Sequence, residues 1–158
     1  MNKTPSVADI EAMPFDQARE SVANIVASPA FEKFATTHQD GEMPVAVLTE
    51  LLKRVLGASV KTVRLSREDR DKQIRNGDQE GRNRYDLLQK MIDEGEIIQY
   101  REQAISLYEY EGEWYHAAIR RTHAGDELYL KSLRRADRDQ LERDRKRGTV
   151  IQKRYGAD

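Results

Sequence analysis

Residues 98–135 constrain this chain more than any other stretch, because they read as a run of antiparallel strands. Ile98–Arg101, Ala104–Tyr110, Glu113–Arg121 and Glu127–Arg134 each alternate at period two and are rich in aromatic and aliphatic residues. Glu111-Gly112 suits a tight hairpin turn, and His123-Ala124-Gly125 suits a short loop with glycine at positive φ. Alternation sorts side chains onto two faces. Ile105 and Leu107 fall on one face of their strand, with Ser106, Tyr108 and Tyr110 on the other. In the next strand Trp114, His116, Ala118 and Arg120 oppose Tyr115, Ala117, Ile119 and Arg121. In the last, strict alternation sets Leu128, Leu130, Ser132 and Arg134 against Tyr129, Lys131 and Leu133. Basic and hydroxyl side chains gather where these strands end, so a site is expected on this sheet.

At 158 residues the chain has room for one domain, or one domain with a helical lobe. Its 27 Lys and Arg nearly balance 28 Asp and Glu, for a formal charge of -1. A protein that chiefly coats duplex DNA needs net or strongly clustered positive charge, so that class is disfavoured while local clustering stays open. Cysteine is absent, which removes disulfides, thiolate metal sites and a thiol nucleophile, and suits a reducing cytoplasm. Met1-Asn-Lys-Thr-Pro-Ser6 lacks the pattern of a signal peptide, and no apolar run approaches the ~20 residues that span a bilayer. No membrane partner is expected.

Three parts are expected: a wholly helical segment over 1–57, an α+β domain over 58–148 and a tail over 149–158. In the first, Phe15, Ala18, Val22 and Ile25 mark one helical stripe, and Ser28-Pro29 opens a helix carrying Phe31 and Phe34. Thr36–Met43 reads as a loop. From Pro44, the residues Val47, Leu48, Leu51, Leu52, Val55 and Leu56 give the clearest amphipathic helix, with Gly57 placed to stop it. Lys61–Ser66 alternates as a strand, and Ser66 with Asp69 opens a charged helix over Arg67–Ile74. Residues 75–82 form a polar loop. Asn83 with Asp86 caps a helix whose Tyr85, Leu88, Met91 and Ile92 face inward before Gly95. Beyond Arg135 a helix-compatible stretch runs to Arg147 with Ala136 and Leu141 as its apolar residues. That helix is either a solvated tail or a rim element laid over something charged. The fold class expected is α+β, with N-terminal helices followed by a small antiparallel sheet of about four to five strands packed on helices.

His38, His116 and His123 are scattered, with no carboxylate or second histidine at ligand spacing, so neither a metal nor another cofactor is expected. The sequence carries no Gly-rich phosphate loop, nucleophile elbow, zinc-protease or kinase signature. What remains is a cationic and hydroxyl constellation: Arg120, Arg121, Thr122, His123, Lys131, Ser132, Arg134 and Arg135, with Tyr108, Tyr110, Trp114, Tyr115 and Tyr129 close in sequence. Cleavage of RNA by its own 2′-hydroxyl needs a general base, a general acid, and guanidinium or ammonium groups to hold the phosphorane. Arg binds phosphate oxygens bidentately, and aromatic rings stack on unpaired bases. The competing account is an antiparallel sheet with one wet face, on which these charges are simply exposed.

The order of several segments resembles a known family. Lys61-Thr-Val-Arg-Leu-Ser66, Asp71-Lys72-Gln73, Tyr85-Asp-Leu-Leu-Gln89, Gly95-Glu-Ile97, Trp114-Tyr-His-Ala-Ala118 and Glu127–Arg135 follow one another along the chain. Together they resemble the barnase/EndoU/colicin/RelE-like nuclease domain found in minor head proteins of Mu-like phages and prophages. Ser28-Pro-Ala-Phe-Glu-Lys-Phe34 and Pro44-Val-Ala-Val-Leu48 resemble the segment ahead of that domain, so the likeness covers residues 28–154. It implies an α+β fold with a small sheet cupping helices, and a metal-independent ribonuclease needing no cofactor. RNA and phage head or portal proteins are the implied partners, in the cytoplasm of a bacterial host or in a virion. On that reading His116 carries the proton, and Arg120, Ser132 and Arg134 complete the catalytic set. Ser132 and Arg134 match the family's strand-end Ser-x-Arg. Lys72, Arg75, Trp114, Tyr115, Arg121, Lys131 and Arg135 would bind nucleic acid. Relatives carry a His-Pro pair where Arg75-Asn76-Gly77-Asp78 stands here, so His116 or His123 would substitute or the domain is inactive. Lys131 stands where relatives tend to be apolar. Three functions remain open: a phage ribonuclease, a non-catalytic virion or head-morphogenesis protein, and a nucleic-acid- or protein-binding module that antagonises a host factor.

Overall fold

The structure, a computed structural model, describes residues 4–76 and 84–153. Side-chain oxygens set the helix starts where the sequence offers them. Ser6 Oγ accepts the Asp9 N–H at 3.1 Å while Asp9 accepts the Ser6 N–H at 2.9 Å, a capping box that opens α1 (Val7–Ala12). Helix α2 (Phe15–Val26) buries Ala18, Val22 and Ile25. Ser28 caps α3 (Pro29–Thr36), with Pro29 in its first turn and Phe31 and Phe34 buried.

The apolar run from Pro44 departs from its sequence pattern. Glu42–Val47 is a strand, β1, and the helix α4 covers Glu50–Leu56, so residues 1–57 are not wholly helical. Thr49 decides the boundary: its Oγ1 accepts the Leu52 N–H at 3.2 Å as an N-cap. Pro44 disfavours helical backbone in the residue before it. A bulge between Pro44 and Ala46 leaves Val45, Ala46 and Val47 all buried, which erases the alternation that would mark a strand. The Gln89 amide then satisfies both backbone groups of Val47, its Oε1 accepting the N–H and its Nε2 donating to the carbonyl, each at 2.8 Å. This edge is covered rather than left open.

Next come β2 (Thr62–Ser66), α5 (Arg67–Asn76), α6 (Tyr85–Glu94), β3 (Glu96–Tyr100), β4 (Gln103–Tyr110), β5 (Glu113–Arg121), β6 (Leu128–Arg135), α7 (Arg138–Arg147) and β7 (Thr149–Gln152). The expected cap at Asn83 lies outside the described residues. Among the described residues the strands form one sheet in the order β1-β2-β6-β5-β4-β3-β7. Neighbours are antiparallel except β2 and β6, which run parallel. The fold is α+β with N-terminal helices ahead of most of the sheet, but the sheet is larger than expected and mixed. Its two edge strands, β1 and β7, come from stretches read as loop and helix, and as tail. At Gly148 a Cβ would lie 1.9 Å from the Gln99 carbonyl oxygen, so glycine lets the chain leave α7 against β3 and continue as β7.

Helices α1, α2, α3, α4 and α6 share one large apolar core with the sheet. Ile10, Val22, Phe31, Leu52, Leu88 and Met91 meet Val45, Leu65, Ile97, Ala117, Leu130 and Leu133 there. On the opposite face α7 lays Leu141 over Ile98, Ile105, Leu107 and Ala118, with Trp114 and Ala136 at the margin. Helix α5 is pinned by polar groups. The fully buried Arg70 donates to Asp71 Oδ1 and to the Phe34 carbonyl, and its guanidinium lies 4.6 Å from the Phe34 ring centre. Gln73 Nε2 donates to the Leu130 carbonyl at 3.2 Å, and Gln73 Oε1 accepts the Tyr85 hydroxyl at 2.8 Å. That seats α5 beside β6 and brings Lys72 to the α7 face. No helix among the described residues is long and apolar enough to cross a membrane.

Candidate active site

A cleft of about 450 Å³ opens between α5, β4, β5, β6 and α7, lined by Lys72, Gln73, Gln103, Ile105, His116, Ala118, Lys131, Ser132, Leu133, Arg134, Gln140, Arg143 and Arg147. Its shape depends on an irregularity in β6. Ala118 pairs with Ser132 but Ile119 pairs with Leu130, so Lys131 is an extra residue in a β-bulge. Strict alternation would have carried Ser132 and Arg134 to the same side as Leu128 and Leu130. The bulge shifts the phase instead. Leu133 joins Leu128 and Leu130 in the large core, while Lys131, Ser132 and Arg134 all line the cleft. The grouping expected from alternation is therefore corrected for this strand, whereas it holds along β4 and β5. The bulge also accounts for a lysine at 131: its Nζ reaches Asp69 Oδ1 at 2.8 Å outside the core.

Beneath the cleft floor lies a line of hydrogen bonds. His116 Nδ1 is 2.7 Å from Asp144 Oδ2, and His116 Nε2 is 3.0 Å from Ser132 Oγ. Since the carboxylate accepts from Nδ1–H, Nε2 is left to accept the Ser132 hydroxyl proton. His116 is 3% exposed and Asp144 0%, so Ser132 is what this line presents to the cleft. Burial acts to push the Asp144 carboxyl up. The hydrogen bond and charge of His116, the Gln140 amide and the Arg147 guanidinium outweigh it and hold the group below its ordinary value. A histidine held in this way takes a proton from a hydroxyl and stabilises the resulting imidazolium against the carboxylate.

Gln140 couples this line to the cations of the rim. Its Nε2 donates to Asp144 Oδ1 at 3.0 Å, and its Oε1 accepts from Arg134 Nη2 at 3.0 Å and from Arg143 Nη2 at 3.1 Å. No described carboxylate forms an ion pair with Lys72, Arg134 or Arg143, whereas Arg147 acts on the Asp144 carboxylate. Cations left in this state are available to an anion. Among the described residues there is no group of three or more His, Asp or Glu side chains that could hold a metal ion.

Of the expected catalytic residues, the fold brings His116, Ser132 and Arg134 together and leaves out Arg120. Arg120 shares the His116 face but lies outside the cleft lining, 55% exposed at its side chain and 3.8 Å from Glu102. Lys72 and Lys131, expected to bind nucleic acid, line the cleft; Arg75, Trp114, Tyr115, Arg121 and Arg135 do not. Trp114 packs at the edge of the α7 core with the Arg145 guanidinium 5.5 Å from its ring centre. Tyr115 is buried on the opposite face, 3.4 Å from Arg84. Arg121 is committed to the carbonyls of Leu56, Thr122 and His123, and Arg135 pairs with Glu113 at 2.5 Å. Arg75 is exposed near the end of α5. His123 has a fully exposed ring 3.4 Å from Glu102, away from the cleft.

Sequence reasoning missed the contribution of α7, namely Gln140, Arg143, Asp144 and Arg147. The signal was present. Leu141 is the helix's buried apolar residue, and a residue three further on shares its face, so Asp144 had to point at the sheet. Comparison with protein-family models, curated proteins and solved structures finds no match to this chain.

Proposed function

We propose that this chain cleaves phosphodiester bonds in RNA without a metal ion, the activity implied by its resemblance to the Mu-like phage and prophage nuclease domains. One observation carries the reading: the line Ser132–His116–Asp144 ends at the floor of a cleft whose rim holds cations free of carboxylate partners among the described residues. His116 takes the proton released at the attacking oxygen and returns one to the leaving oxygen, with Asp144 stabilising the imidazolium between the two events. Arg134 and Arg143, oriented by Gln140, bind the non-bridging phosphate oxygens and neutralise charge that grows in the phosphorane. Fixed guanidinium and ammonium groups thus supply the charge that a metal ion supplies elsewhere. The cytoplasm of a bacterial host or a virion is the setting that goes with this activity, with head or portal proteins as further partners.

Arg75-Asn76-Gly77-Asp78, standing where relatives carry His-Pro, favours a second reading: a catalytically inactive head-morphogenesis protein that keeps the fold. Incubation of single-stranded RNA with the protein in EDTA separates the two. Wild type is expected to cleave, and His116→Gln to be slower by about a hundredfold or more, the scale of a lost proton-transfer group. Absence of cleavage at micromolar wild-type protein, with capsid or portal proteins copurifying, moves the assignment to the second reading.

A further inference from the structure

We infer that Ser132 is itself the nucleophile, so that the reaction passes through a phosphoester bond to its Oγ and needs no 2′-hydroxyl on the substrate. The inference rests on reading the cleft as a phosphodiester site and goes further by naming the attacking atom. Three observations carry it. Ser132 Oγ lies 3.0 Å from His116 Nε2, the separation of a nucleophile from its base. No described carboxylate lines the cleft, and its remaining polar side chains are amides, ammonium and guanidinium groups, which do not act as bases at neutral pH. A 2′-hydroxyl or water entering the cleft therefore meets one general base, His116, and that base already faces Ser132. Finally, the bulge at Lys131 turns Ser132 out of the core and into the cleft, within hydrogen-bond reach of His116.

The step balances as follows. Ser132 Oγ attacks phosphorus and its proton passes to His116 Nε2, the Oγ–P bond forming as the bond from phosphorus to the leaving oxygen breaks. His116 gives that proton to the leaving oxygen, which departs as an alcohol. Water then attacks phosphorus, its proton passing to His116 as the Oγ–P bond breaks. The serine oxygen recovers a proton from His116. The sum is one phosphodiester and one water giving one phosphomonoester and one alcohol. Lys72, Arg134 and Arg143 hold the anionic oxygens through both halves.

Two measurements on the full chain test this. A fluorophosphonate, which reports an activated serine hydroxyl without turnover, should add one covalent group located at Ser132 by peptide mass spectrometry. Ser132→Ala should take up none, and Asp144→Asn should label about a hundredfold more slowly or less, with both variants melting as folded proteins. Single-stranded RNA and DNA oligonucleotides of one sequence should both be cleaved. Labelling at Ser132 without cleavage of either strand upholds the nucleophile and removes the phosphodiester reading. RNA cleavage with DNA left intact and no label keeps the phosphodiester reading and overturns the nucleophile. Equal labelling of wild type and Asp144→Asn also overturns it.

Discussion

On the face covered by α1, α2, α3 and α6, strands and helices meet through aliphatic and aromatic side chains, and the buried set extends from Ile10 to Leu133. Under α7 the buried apolar set is Ile98, Ile105, Leu107, Ala118 and Leu141, and beside it lie His116 and Asp144. Burying a large apolar side chain stabilises by about 1.5–3 kcal/mol, so the first face supplies most of what keeps this chain folded. A buried His–Asp pair supplies little net stability, because desolvation offsets the attraction between its members. An apolar pair in the same place would serve stability as well. The polar line under α7 is therefore better explained by what it does to Ser132 than by what it adds to the fold.

Substitutions on the two faces should separate cleanly. The largest effect is expected from Asp144→Asn. The amide keeps the shape of the carboxylate, but it favours the wrong histidine tautomer and cannot stabilise an imidazolium. Cleavage should fall on the order of 10²–10⁴-fold, while circular dichroism and cooperative melting are retained. A loss of folding in this variant would make the pair structural and erase the contrast. Leu52→Ala comes next, on the other face. Leu52 is buried in the large core from α4, and its truncation should cost ~2–5 kcal/mol in denaturant unfolding through the cavity it leaves. The cleavage rate of the protein that remains folded should be unchanged.

How far each face could be read in advance follows from local irregularities. The face assignments of β4 and β5 were legible because nothing interrupts their alternation across the cleft. In β6 the same rule placed Ser132 with Leu128 and Leu130, since a bulge at Lys131 leaves no mark in the hydrophobic pattern. His116, Ser132 and Arg134 were picked out one by one by residue type, yet their convergence depends on that bulge. Val45–Leu48 misleads for the opposite reason: four consecutive buried residues mimic a helical stripe, although the helix starts only at the Thr49 cap. Asp144 went unread because α7 looks solvated along most of its length, with one buried leucine to orient it.

Arg134→Ala should have a smaller effect, felt in kcat/KM. The residue is exposed and donates to Gln140 at the rim. Losing a charge-assisted contact to phosphate is worth about 1.5–3 kcal/mol, roughly a 10–100-fold fall in kcat/KM. Stability should move by less than about 0.5 kcal/mol, as for other surface changes. A large drop in melting temperature would place Arg134 with the structural half of the molecule and shrink the functional rim to Lys72, Arg143 and Arg147.

The smallest effect is a difference in acid stability between the faces. Asp144 is held below its ordinary value by His116, Gln140 and Arg147 against the opposing effect of burial. A carboxyl depressed in the folded state contributes stability that is fully present above its unfolded value of about 3.9 and is lost as pH falls through the folded value. Protonating it also removes the acceptor that fixes the His116 tautomer, with Nδ1 donating and Nε2 facing Ser132. The stability gap between wild type and Asp144→Asn should then be constant near neutrality and close as pH drops below about 4. Leu52→Ala, which alters no titrating group, should keep a constant gap from wild type across the same range. A gap for Asp144→Asn that stays constant into acid would mean that the carboxylate is not held ionised by His116, and the proton line would lose its anchor.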